Sequence, residues 1–290
     1  MQSLWMLAAG LCFALMGVFV KLGAGEFTAA EMVFYRSLLS LAVTWALLAK
    51  AGMSVKTARF GMHAHRGVAG FVSLFMFFYT LTVLPVATAM TLNYTSPVFL
   101  AVLLAWLARE RPGARLVLTI GLGFAGAVLL LQPSLSADQL VAGLIGLASG
   151  ATSAVAYWNV RQLVQADEPV ERVVFYFALF SLAGALVWMT PTGFRAVTFD
   201  NVWVLAGVGV MGTAGQLAMT RAYGRGKTLV TATLSYGGIV FSSALGILIW
   251  HDVLGIGSWL GIALIVAAGI FAVQLAPAAR PDAGPQVTND

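Results

Sequence analysis

The chain has 290 residues, of which 60% are hydrophobic and 9% charged, with a formal net charge of +5. Soluble domains carry about 25% charged residues, so this composition excludes a water-soluble enzyme or binding module. The basic residues fall in short segments between apolar blocks rather than on one amphipathic face, which excludes a nucleic-acid-binding surface.

The apolar blocks are about 20 residues long, the length that crosses a hydrocarbon core of roughly 30 Å as an α-helix. They predict an all-α membrane protein whose first partner is the lipid bilayer. In chain order the predicted spans are 4–23, 28–49, 67–84, 86–108, 116–131, 140–160, 170–190, 202–220, 229–250 and 254–276. The first lacks a basic leader and a small-residue cleavage site, so it reads as a retained helix rather than a signal peptide. Pro85, Pro112, Pro133 and Pro191 fall at or just beyond span ends, where a missing N–H is tolerated. The segment 277–290, PAARPDAGPQVTND, is polar and proline-rich and reads as a disordered tail.

Ten spans put both termini on one face. Thirteen Lys and Arg residues, Lys50, Arg66, Arg161 and Lys227 among them, lie on that face, against Lys21 and Arg195 on the other. Positive charge concentrates on the cytoplasmic side, so the expected location is the inner (plasma) membrane with both termini in the cytoplasm.

The sequence also repeats itself. VFYRSLLSLA, from Val33 to Ala42, returns as VFYFALFSLA from Val174 to Ala183; TLNYTSPVF, from Thr91 to Phe99, returns as TLSYGGIVF from Thr233 to Phe241; LAAG, from Leu7 to Gly10, returns as LASG from Leu147 to Gly150. The offsets are nearly constant and match spans one to five with spans six to ten. Five is odd, so the second copy crosses the membrane in the opposite sense. The predicted architecture is ten transmembrane helices as an inverted 5+5 repeat, with residues 1–136 and 137–276 as the two units. Such repeats exchange conformations around a central site, which is the logic of alternating access.

The duplication, together with Glu110 closing the fourth span in ARERPG and Asp252 in IWHDVLG, resembles the drug/metabolite transporter superfamily, EamA type. In length and aromatic content the chain is similar to its bacterial aromatic amino-acid exporters. The resemblance implies a small-molecule substrate, export, and a cavity between the halves lined mainly by helices one, three, four, six, eight and nine.

Polar groups inside a span must be satisfied within the bundle or face water, so they are the first site candidates. Asn93 and Tyr94 lie about seven residues into span four; Ser235 and Tyr236 are their counterparts in span nine. Each Tyr stands beside a helix-weakening element, Pro97 in one copy and Gly237 and Gly238 in the other. Trp158 in span six is a candidate cavity wall or an interfacial anchor, and Gln216 a hydrogen-bonding group for a polar substrate head. Tyr79 ends a run with Phe75, Phe77 and Phe78 that reads as mostly lipid-facing or packing, with Tyr79 itself a candidate for facing inward and touching substrate. Arg36 is an intramembrane charge that would attract a carboxylate or, the favoured reading, snorkel outward. Glu110 and Asp252 read as structural caps or gate elements. Gly121 with Ala125, and Gly257 with Gly261, give spans five and ten small-residue faces suited to peripheral packing or a homodimer contact.

No HExxH or G-x-S-x-G pattern occurs, and His63, His65 and His251 suggest no three-ligand site. No catalytic residue, metal or cofactor is therefore expected, and a membrane enzyme or passive channel is the weaker rival class. The expected function is a secondary transporter exporting small metabolites, aromatic or other large apolar amino acids first. A multidrug or other metabolite carrier, for nucleotide-sugar-like compounds or cationic drugs, is the alternative.

Overall fold

A computed structural model describes residues 2–84, 86–107, 113–132, 137–189, 194–251 and 253–274. Glu110 and Asp252, and with them the expectation that they cap or gate the spans, lie outside the described residues. Among the described residues twelve α-helices run in order: α1 (Trp5–Gly23), α2 (Ala29–Lys50), α3 (Phe60–Val83), α4 (Val86–Asn93), α5 (Ser96–Trp106), α6 (Ala114–Leu131), α7 (Leu140–Gln165), α8 (Val170–Met189), α9 (Val202–Arg225), α10 (Thr228–Ser235), α11 (Gly237–Trp250) and α12 (Ile256–Gln274). Nine stretches among the described residues are long and apolar enough to cross a membrane. The 24-residue α3 packs with them in one bundle, against α7 and α8.

Spans four and nine are each two helices. Span four breaks between Asn93 and Ser96, and span nine at Tyr236, matching positions in the two repeats. Pro97 does not kink a continuous helix; it occupies the first turn of α5, where its missing N–H would have no intrahelical acceptor. In the second half Gly237 opens α11 without a proline.

The packing follows the exchange of an inverted repeat. α1 lies along α9 as α3 lies along α7, and α1 meets α10 and α11 as α7 meets α4 and α5. α2 packs on α8, and α6 on α12, each with its own equivalent. Glycine at the last residue of LAAG and LASG permits the crossings: a Cβ on Gly10 would stand 3.1 Å from the Cα of Gly238, and one on Gly150 would stand 2.9 Å from the carbonyl oxygen of Leu92. Each helix break is thus held against a glycine of the opposite half.

α6 and α12 approach to backbone contact, since a Cβ on Gly261 would fall 2.6 Å from the carbonyl oxygen of Gly126. The face containing Gly261 is filled within the chain, while Gly121 meets nothing within 4 Å. At the start of α2, Thr28 and Glu31 form a reciprocal capping box. Glu31 is fully buried there and also accepts a hydrogen bond from the Arg195 backbone N–H at 2.6 Å.

α3 begins at Phe60, seven residues before its expected start, and carries His63 and Arg66 inside the helix. Both are buried. Arg66 is therefore not the loop charge that the sequence suggests: the helix turns it inward.

Candidate functional site

A cavity of about 390 Å³ lies between the halves, bordered by α1, α2, α3, α4, α7, α8, α9 and the α10–α11 break. A second hollow of about 480 Å³ sits at the periphery against α1, α11 and α12, with a lining dominated by aliphatic groups such as Leu7, Val240 and Ile265. The chemistry is in the central one.

Its walls come from helical stripes. Along α3, Arg66, Gly70, Ser73 and Phe77 recur at intervals of four, three and four, which places them on one face. Facing them, Ser153 and Tyr157 come from α7, one turn apart. The Ser73 and Ser153 hydroxyls are 2.6 Å apart, and Ser73 donates to the Ser149 carbonyl at 2.9 Å. These bonds tie α3 to α7 across the two halves.

Asn93, Tyr94, Gln216 and Ser235 all border this cavity. Asn93 donates from Nδ2 to Ser149 Oγ at 3.1 Å, and the Ser235 hydroxyl donates to the Ala232 carbonyl at 2.7 Å. Gly238 borders the cavity as well, whereas Gly237 borders the peripheral hollow. Tyr236 is fully buried behind Tyr94, packed against Gly123, and is not part of the lining. Pro97 is buried at the helix start and does not line the cavity.

Further expectations change. Trp158 packs against the core with the Arg161 guanidinium carbon 5.3 Å from its ring centroid, and its neighbour Tyr157 lines the cavity instead. Tyr79 is 41% exposed and away from the cavity, while Phe77 and Phe78, read as lipid-facing, border it. The 100° step between successive helical residues separates such neighbours, and an aromatic run does not tell which member faces in.

Arg36 does not snorkel. It borders the cavity, its Nη2 donates to Gln216 Oε1 at 3.5 Å, and its guanidinium carbon lies 6.0 Å from the Phe177 ring centroid. Arg66, 2% exposed, stands 4.3 Å from the same ring. Arg36 and Phe177 occupy equivalent places in VFYRSLLSLA and VFYFALFSLA, so the two repeats meet here with a cation from one and a ring from the other. None of the described residues lining the cavity is acidic.

At the α1 start the wall is closed by aromatic packing: Tyr157 stacks on the fully buried Tyr223 with ring centroids 4.6 Å apart and an interplanar angle of 11°. Toward the other end of α1, Gly17 lines the cavity and is exposed.

A bundle of membrane-length helices around a cavity between two matched halves is the architecture of a multi-pass membrane transporter. Residues 1–132 match the EamA-like transporter family, and the chain belongs to that family. It is 30% identical to an uncharacterized transporter of Helicobacter pylori over 91% of each chain. It is 29% identical to the pseudopaline exporter CntI of Pseudomonas aeruginosa, covering 90% of this chain and 92% of that one. A riboflavin transporter of Vibrio cholerae is 28% identical, covering 94% and 92%. A solved structure superposes with a TM-score of 0.83 at 21% identity, covering 95% of this chain and 98% of the other, and shares the fold.

Proposed function

We propose that this chain is an inner-membrane secondary transporter, with both termini in the cytoplasm, that exports small amphipathic metabolites by alternating access through the central cavity. Amino acids with large apolar or aromatic side chains are the first class to test. The carrying observation is the cavity itself: rings of Phe13, Phe77, Tyr94, Tyr157 and Phe177 provide an apolar surface, and Arg36 beside Gln216 provides a place for a carboxylate. Its volume of about 390 Å³ falls within the range of small-ligand sites.

The cationic-drug alternative is disfavoured by the same residues, because two guanidinium groups with no acid among the described lining residues repel a cation. Flux of labelled aromatic amino acids and of small organic acids into liposomes containing the purified protein tests the proposal. Uptake above empty vesicles is expected for at least one of them; background rates for all would refute the transport reading.

A further inference from the structure

Among the described residues, the two arginines of the cavity have no acidic partner there. Both guanidinium carbons lie against the Phe177 ring, at 6.0 and 4.3 Å from its centroid, and so within about 10 Å of each other. Nε of Arg36, and Nε and Nη1 of Arg66, are buried and make no hydrogen bond among the described residues. Nε2 of Gln216, whose oxygen faces Arg36, is also buried and unused. The two buried acids among the described residues are engaged elsewhere: Glu31 of α2 by Thr28 and the Arg195 backbone, Glu168 between α7 and α8 by Thr57, His63 and Arg172.

A guanidinium stays protonated even when buried, and a buried charge without a counter-charge costs several kcal/mol. Two such charges on one small cavity define a site completed by its ligand. Each guanidinium is a planar fork that matches a carboxylate or phosphate. A zwitterionic amino acid meets one of them, leaves the other unpaired, and finds no acid for its ammonium.

Building on the proposed transport function, we propose that the preferred substrate is a doubly anionic organic acid with an apolar body, its anionic groups held by Arg36 and Arg66 and its body against Phe177 and Tyr94. Gln216 Nε2 supplies a further donor to the group at Arg36.

Calorimetric titration of the purified full chain in detergent at neutral pH tests this with four probes: phenylsuccinate, phenyl phosphate, 3-phenylpropionate and phenylalanine. At least one dianion is expected to bind about tenfold or more tightly than 3-phenylpropionate, the factor that one additional charged hydrogen-bonded pair supplies. Which dianion wins identifies carboxylates or phosphate as the recognised group. Arg36→Gln and Arg66→Gln are each expected to abolish the preference while weak 3-phenylpropionate binding persists, and Arg66→Lys to retain part of it. Equal affinity for monoanion and dianions, or a preference unchanged in the glutamine variants, would overturn the proposal. If a glutamine variant does not stay monodisperse, the wild-type preference decides alone. Amino-acid flux in liposomes without any dianion preference would refute this inference and leave the transport reading intact, whereas no flux of any compound refutes that reading.

Discussion

Tyr94 and Tyr236, equivalent residues of the two repeats, face each other with ring centroids 6.1 Å apart and an interplanar angle of 35°. Each stands at the break of its span. Their surroundings differ, since Tyr94 borders the cavity and Tyr236 is fully enclosed against Gly123 and the α6 and α12 side chains. Tyr236→Ala opens a void in packed core and is expected to cost about 3–5 kcal/mol of stability. Tyr94→Ala removes a ring that borders an existing cavity and is expected to cost roughly 1 kcal/mol. Thermal unfolding of the two purified variants in the same detergent checks the order, and equal losses would contradict it.

The breaks themselves depend on two glycines. A Cβ on Gly150 would lie 2.3 Å from Thr95 Oγ1 and 2.9 Å from the Leu92 carbonyl oxygen, and a Cβ on Gly10 would lie 3.1 Å from Gly238 Cα and N. Gly150→Val and Gly10→Val are therefore expected to push the broken spans away, at about 1–3 kcal/mol each. Gly17→Val, where an added Cβ meets nothing within 4 Å, is the control that should not lower the melting temperature.

Glu168, between α7 and α8, joins the two halves. Thr57 donates to its Oε1, Arg172 Nη1 lies 2.8 Å and His63 Nε2 3.3 Å from its Oε2. Burial alone would raise its pKa, but hydrogen bonds from Thr57 and Arg172 and the nearby His63 outweigh that and hold the carboxyl below the ordinary carboxylate range. A depressed folded-state pKa stabilises the protein above the unfolded value, and that contribution disappears as pH falls through the folded value. Glu168→Gln is expected to lose about 1.5–3 kcal/mol at neutral pH and to flatten the acid limb of a stability–pH curve. An unaltered acid limb would show that this carboxylate does not join the halves energetically.

The bundle and its duplication were legible because both are written in spacing: apolar blocks of membrane length and three collinear repeats fix the element order. The breaks at Asn93 and Ser235 were legible too, since proline and glycine act locally. The cavity was legible only where a polar residue stood out against an apolar span, as with Asn93, Tyr94, Gln216 and Ser235. Arg66 was lost because a basic residue near a span end has the same sequence signature whether it faces water or turns inward. Its signal is the Arg66, Gly70, Ser73 and Phe77 stripe, visible once α3 is extended to Phe60. Trp158 and Tyr157 are adjacent, and which of them faces the cavity depends on how α7 is rotated against its neighbours, a property of tertiary packing.

The most direct test of the central claim, that the cavity between the halves carries the substrate, is transport by Asn93→Ala and Tyr94→Ala in liposomes. Asn93 and Tyr94 border the cavity, and neither replacement empties packed core. With a compound that the wild-type protein moves, both variants are expected to insert normally, remain monodisperse and transport at about a tenth of the wild-type rate or less, the factor corresponding to about 1.4 kcal/mol. Variants that insert normally and transport at the wild-type rate would contradict it.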